Sequence, residues 1–237
     1  MTLVTSGSWL LDSRLLFRSV AGGLVLICYL LPGVVRAQTG GCDTTAAPSL
    51  EYERYAAEEW PREGERYKGN RQSVSRVGRR LRLALEGANS VELTDCPYGD
   101  TAYTYLYERY DEAGRFYVVR TPAYEDFSYT LVMRKTGKQA TVYGTPVWAQ
   151  DKSRFLTVAC SLLPERGTLT VHVPEDGGIR VEGEIALPCG SESCSARWDH
   201  ASWISVSCTP WAEESKGRKG TEFVLLRGKD GWRRFGR

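Results

Sequence analysis

From about residue 79 onward, apolar and polar residues alternate in short runs bounded by Gly, Asp, Pro and Lys, the pattern of half-buried strands joined by turns. Hairpins are predicted over 81–93, 129–142, 169–181 and 222–235, each with a glycine in its turn. A second kind lies between them: 103–119 turning at 111–114, 146–160 turning at 151–153, and 196–208 turning near Asp199 and His200. The two kinds alternate, so a four-strand unit recurs about three times behind one leading hairpin, with Phe116, Phe155 and Trp203 at corresponding places. The expected fold class is all-β, with antiparallel hairpins in a propeller-like or partial-propeller arrangement. A β-sandwich is the alternative, because it produces the same short strands and turns. Closed propellers typically use about four to eight blades, and three and a half units fall short of that. Residues 79–237 are expected to form a single all-β domain, since a mature chain of about 200 residues can bury one core.

Upstream, residues 38–78 are charged and turn-rich without a sustained period. They predict an N-terminal arm with little regular structure, in which Tyr52, Tyr55 and Trp60 mark at most one short helix ended at Pro61. Residues 1–37 have the form of a signal peptide: Arg14 and Arg18 precede the apolar run from Gly22 to Leu31, and Val35-Arg36-Ala37 supplies a small-residue cleavage site before Gln38. That run is shorter than the roughly 17–25 residues of a membrane helix, so no membrane span is expected after cleavage. Cys42 lacks the leucine three residues earlier that a lipid-anchored cysteine calls for. The expected location is secreted or periplasmic.

Export changes the charge and cysteine arithmetic. Three of the 31 basic and one of the 29 acidic residues leave with the leader, so 28 of each remain and the mature chain is formally neutral. Neutrality removes the global basic field that draws nucleic acid, and no nucleic-acid partner is expected. Cys28 leaves as well, and six cysteines remain: Cys42, Cys96, Cys160, Cys189, Cys194 and Cys208. An even count in an oxidising compartment predicts disulfides. The short, turn-rich Cys189-Gly-Ser-Glu-Ser-Cys194 suggests a local bridge between Cys189 and Cys194. Scattered cysteines with only His172 and His200 do not match metal-site spacings, so no metal and no cofactor is expected.

The segment Pro146-Val-Trp-Ala-Gln-Asp-Lys-Ser-Arg-Phe-Leu-Thr-Val158 resembles the Pro-x-Trp-Ser-Pro-Asp-Gly turn of periplasmic propeller-repeat proteins, and Arg197-Trp-Asp-His-Ala-Ser-Trp-Ile-Ser-Val206 is a degenerate second copy. The resemblance implies that the aspartate caps a tight turn and that the tryptophan packs between blades. The sequence departs from the pattern at Ala149-Gln150, which replace Ser-Pro, and at Lys152, which replaces Gly.

No catalytic residues are assigned. His172 falls at an alternating strand position. His200 follows Asp199 and precedes Ser202 in a turn, where neighbours rarely aim at one another. The acidic cluster Glu108, Asp111, Glu112, Glu125 and Asp126 reads as turn and strand-edge residues. Tyr98, Tyr103, Tyr105, Tyr107 and Tyr110 recur nearly every second residue, so several share a sheet face. Tyr103, Tyr105 and Tyr107 therefore form either an exposed binding platform or part of the core. The expected function is a non-catalytic extracytoplasmic binding module for a protein or glycan of the cell envelope. The alternative is a secreted hydrolase or an inhibitor presenting the 189–194 loop.

Overall fold

The structure, a computed structural model, describes residues 34–36, 42, 45, 47, 49–99, 102–122, 127–160, 167–188, 193–209 and 220–236. Its elements run β1 (Val34–Arg36), α1 (Leu50–Arg66), a 3₁₀ turn (Lys68–Asn70), β2 (Val74–Val77), β3 (Arg80–Ala84), β4 (Ser90–Thr94), β5 (Leu106–Asp111), β6 (Phe116–Pro122), β7 (Phe127–Met133) and β8 (Gln139–Tyr143). They continue with β9 (Val147–Trp148), β10 (Phe155–Ala159), β11 (Thr168–Glu175), β12 (Gly178–Ala186), β13 (Ser193–His200), β14 (Trp203–Thr209), β15 (Thr221–Gly228) and β16 (Gly231–Gly236).

The strands make four sheets of four. Sheets II (β5–β8), III (β9–β12) and IV (β13–β16) are antiparallel meanders in chain order. Sheet I is the meander β2–β4 with β1 added in parallel along β4. The fold is all-β and antiparallel apart from that edge, as the hairpin pattern predicts. Val34–Arg36 lies within the expected leader, so cleavage after Ala37 would leave β4 as an open edge.

The sheets pack face to face in chain order. One cluster joins Leu81, Leu83, Val91 and Leu93 of sheet I to Tyr107, Tyr117, Val119 and Val132 of sheet II. A second joins Phe116, Val118 and Leu131 of sheet II to Phe155 of sheet III. A third joins Leu156, Leu169 and Val171 of sheet III to Ile204, Val206, Phe223 and Leu225 of sheet IV. Strand sequence follows from position in this stack. In β6, Phe116-Tyr-Val-Val119 is buried at every residue because both faces of sheet II are covered. In β3, Arg80-Leu-Arg-Leu83 alternates because only one face of sheet I is covered. Ser75, Arg80 and Arg82 on sheet I, and Ser195, Arg197 and Glu222 on sheet IV, are exposed. The two end faces of the stack are thus water-facing, with exposed Val77 on sheet I and exposed Trp203 and Phe235 on sheet IV among these polar residues.

In the segment resembling a propeller-repeat turn, Trp148 lies between sheets II and III. Its ring is 6.1 Å from Phe116 and 5.1 Å from Phe155, and its Nε1 donates to Asp111 at 2.8 Å. Asp151 Oδ1 accepts the Ser153 N–H at 3.0 Å, and Lys152 has φ 54°. That left-handed backbone is what a glycine provides without strain, and this chain holds it with a lysine. In the second segment, Trp198 bridges sheets IV and III, donating from Nε1 to the Val147 carbonyl at 2.9 Å.

The expected irregular arm is instead part of the body. Helix α1 passes through Pro61 and ends at Arg66, and residues 74–77 already form β2. Ser49 caps the helix by accepting the Tyr52 N–H at 3.3 Å, with Glu51 and Glu53 in the first turn. Proline removes a backbone bond and crowds the preceding turn. Here side-chain anchors on both sides of it, at Tyr52 and Glu63, hold the helix in place.

Candidate binding groove and the charge network behind it

Helix α1 buries Tyr52, Ala56, Glu59 and Glu63, one stripe at helical spacing with two carboxylates in it. The side chain of Glu63 is fully buried and faces Arg76 of β2, which is nearly so. Arg76 Nε donates to Glu63 Oε2 at 2.5 Å and Nη2 to Oε1 at 3.2 Å, while Nη1 reaches Asp95 Oδ2 at 3.0 Å. Arg76 also donates to the Tyr105 carbonyl. Glu63 Oε1 accepts the Tyr107 N–H at 2.6 Å. Asp95, also fully buried, accepts from Thr104 Oγ1 at 2.7 Å, the Tyr105 N–H at 2.8 Å and the Tyr52 hydroxyl at 3.2 Å. Burial raises the Asp95 pKa, and the neighbouring Arg76 charge and these donors only partly oppose it. Every oxygen of the two carboxylates is engaged, so the network is scaffold: it ties α1, β2 and the start of sheet II together.

On the outer side of this scaffold lies an open groove of about 420 Å³. Tyr52, Ala56 and Trp60 of α1 form one wall, and Arg79, Pro97 and Tyr98 form the other. Tyr52 lies at its base, its phenol held above the usual range by burial and by Asp95. The Arg79 guanidinium sits 5.7 Å over the Tyr98 ring and donates to its hydroxyl at 3.4 Å. Trp60 carries the Arg76 guanidinium at 5.3 Å. The far wall is braced by the Cys42–Cys96 disulfide and by the Ser49 N–H bonded to the Pro97 carbonyl at 2.7 Å. Three aromatic side chains, Tyr52, Trp60 and Tyr98, with exposed Arg79 and Glu53 beside them, make an apolar floor with a few directional polar groups, the usual composition of a ligand site.

The expected tyrosine platform divides. Tyr107 is 2% exposed and belongs to the core between sheets I and II, which removes it from any platform. Tyr105 is half-buried against the same core, and Tyr103 is half-buried with its ring 5.4 Å from that of Tyr105. A β-bulge between Tyr107 and Arg109 breaks the two-residue period. Tyr107 and Tyr110 therefore meet the same neighbour, Tyr117, at 6.4 and 5.3 Å. Tyr98 leaves the row to line the groove.

The local bridge between Cys189 and Cys194 is corrected: Cys194 is bonded to Cys160, joining sheet IV to the end of β10. Cys42 pairs with Cys96, Cys208 is also disulfide-bonded, and Cys189 lies outside the described residues. A closed 189–194 loop as an inhibitor's projection loses its basis. His200 Nδ1 is 3.2 Å from Ser202 Oγ, whereas Asp199 accepts from Ser205, so these groups do not form a relay. His172 is buried, with Nε2 at 3.0 Å from Thr157 Oγ1 and its ring stacked on Phe155 at 4.7 Å. Among the described residues no cluster of three or more His, Cys, Asp or Glu could hold a metal, and no helix is long and apolar enough to cross a membrane. Glu125 and Asp126 lie outside the described residues.

Arg79 and the placement of Tyr98 in the same groove as Trp60 are not signalled by the sequence pattern. The one available signal was the helical spacing of Tyr52, Ala56 and Trp60 ahead of Cys96-Pro-Tyr98. Compared with family models, curated proteins and solved structures, the chain matches none of them.

Proposed function

We propose that the protein is a non-catalytic binding module of the secreted or periplasmic space that captures a glycan of the cell envelope in the groove between α1 and Tyr98. The observation that carries this reading is the juxtaposition of Trp60, Tyr52 and Tyr98 with Arg79 and Glu53 around one open, disulfide-braced recess. Aromatic faces match the apolar face of a sugar ring, and the rim charges supply partners for its hydroxyls. The disulfides support the location. The Trp148 and Asp151 geometry, with Lys152 in the backbone region favoured by glycine, supports kinship with propeller-repeat proteins. The test is binding of the mature chain to an array of envelope oligosaccharides, followed by titration of Trp fluorescence with the best ligand. Tyr98→Ala and Arg79→Gln, both outside the core, are expected to keep the melting temperature and lose at least about tenfold in affinity. Undiminished binding by both variants, or no oligosaccharide bound at all, would remove the groove as the site.

A further inference from the structure

A second recess, on the sheet II side of α1, has a different chemistry. It encloses about 370 Å³ and takes four consecutive residues of β5 in its lining, Tyr107 to Tyr110, together with Arg66 and Arg134. A regular strand would send alternate members of that run to opposite faces. The bulge at Tyr107 and Arg109 turns them toward one space.

Three of its side chains are arginines, and their pairing is unequal. Arg66 belongs to an ion network with Glu59 at 3.5 Å and Glu108 at 3.7 Å. Glu108 is also held by Arg120 at 2.8 Å. Arg109 and Arg134 have no carboxylate partner among the described residues. Arg134 has its guanidinium 5.2 Å from the Tyr110 ring centre and is hydrogen-bonded to the Tyr110 side chain with Glu86 nearby, while its Nε is buried with no hydrogen-bond partner among the described residues. A buried donor without an acceptor is destabilising unless something fills the place. The carboxylates of the lining are Glu108, already doubly paired, and Glu112, exposed on the turn after β5, so three cations face two anions.

We infer that this cleft binds an oxyanion, a phosphate, sulfate or carboxylate group, through the guanidinium groups of Arg109 and Arg134. Planar guanidinium forks match the paired oxygens of such groups, and a stacked arginine is pre-set for them. The site is separate from the aromatic groove, so either can fail without the other.

The experiment is isothermal titration of the mature protein at low ionic strength with inorganic phosphate, sodium sulfate and sodium acetate. Saturable binding of at least one is expected, weakened about tenfold by Arg109→Gln and by Arg134→Lys, which keeps the charge but not the fork. The double variant Arg109→Gln/Arg134→Gln is expected to abolish binding, while Arg233→Gln on sheet IV and Tyr98→Ala in the groove leave it unchanged. Melting curves check that each variant is folded, and Arg109→Gln alone carries the test if changes at Arg134 disturb packing on Tyr110. A sulfated disaccharide that binds more tightly than sulfate through the same arginines identifies a glycan-borne group, and equal affinity identifies a free anion. No saturable binding of any of the three anions, or binding that survives the double variant, overturns the inference.

Discussion

Replacing Arg76 with Met keeps an apolar stem beside Trp60 and removes the guanidinium. Two fully buried carboxylates, Glu63 and Asp95, then lose their shared cation. Breaking one buried pair by deleting a partner costs about 3–5 kcal/mol. With two carboxylates stranded, the upper end is expected, against a total stability of about 5–15 kcal/mol for a domain. At about 2–4 °C per kcal/mol for this chain length, the melting temperature should fall by about 10–20 °C. The loss has a pH signature. Burial holds the Asp95 pKa above its ordinary value and Arg76 restrains it, so the variant raises it further. A raised carboxyl contributes stability that is complete below the unfolded value and lost as pH rises through the folded one. The variant's deficit should therefore be larger at pH 7 than at pH 4. Urea titrations at both values, followed by circular dichroism for α1 and by Trp fluorescence, make the measurement. Adding Glu63→Gln and Asp95→Asn to Arg76→Met should recover part of the loss, since no charge is then buried alone. A deficit under about 1 kcal/mol at pH 7, or one equal at the two pH values, would refute the account.

Other outcomes follow from the same structure. Burial lowers the pKa of His172 to about 4, so its contribution is complete above the unfolded value of 6.5 and is lost as pH falls toward 4. This amounts to about 3 kcal/mol, and His172→Gln should flatten that part of a stability–pH curve. Non-reducing peptide mapping should recover Cys42–Cys96 and Cys160–Cys194 and link Cys208 to the one mature cysteine left, Cys189; Cys189 recovered with Cys194 would contradict it. Removing either of the first two bridges, which close loops of 54 and 34 residues, should cost about 4 kcal/mol in the chain-entropy account, read from urea midpoints. Gly144 has φ 91°, and a Cβ there would lie 2.2 Å from the Val158 carbonyl oxygen. Gly144→Ala should therefore lower stability by at least about 2 kcal/mol in the same assay, and by more than Gly87→Ala, where φ is also positive at 88° but the space is open, so that the comparison isolates the clash from the backbone strain.

The hairpins were legible because each turn carries its own chemistry and each strand its own period. Even the difference between inner and end sheets is written in Phe116-Tyr-Val-Val119 against Arg80-Leu-Arg-Leu83. Helix α1 was legible only in part: Tyr52, Tyr55 and Trp60 mark a short helix, but its continuation through Pro61 to Arg66 was hidden because its buried stripe contains Glu59 and Glu63, which hydrophobicity counts as surface. Their burial depends on Arg76 and Arg120, 13 and 61 residues further along the chain. The Cys160–Cys194 pairing was hidden for the same reason: it is set by the packing of sheet IV on sheet III, whereas loop length favoured the nearer cysteine.

The tyrosine row is divided by burial: Tyr107, in regular register with Val119, faces the core between sheets I and II, and the inserted residue after it brings Arg109 and Tyr110 around the arginine cleft. The groove likewise lies on the proline-containing helix and the loop after β4, outside the regular strands. In regular strands backbone groups pair with each other and side chains alternate between core and water, which leaves little free for a ligand. The two proposed sites therefore lie where the alternation stops, on α1 with Pro97-Tyr98 and at the bulge around Glu108. Those are also the positions where a period-based reading has least to say.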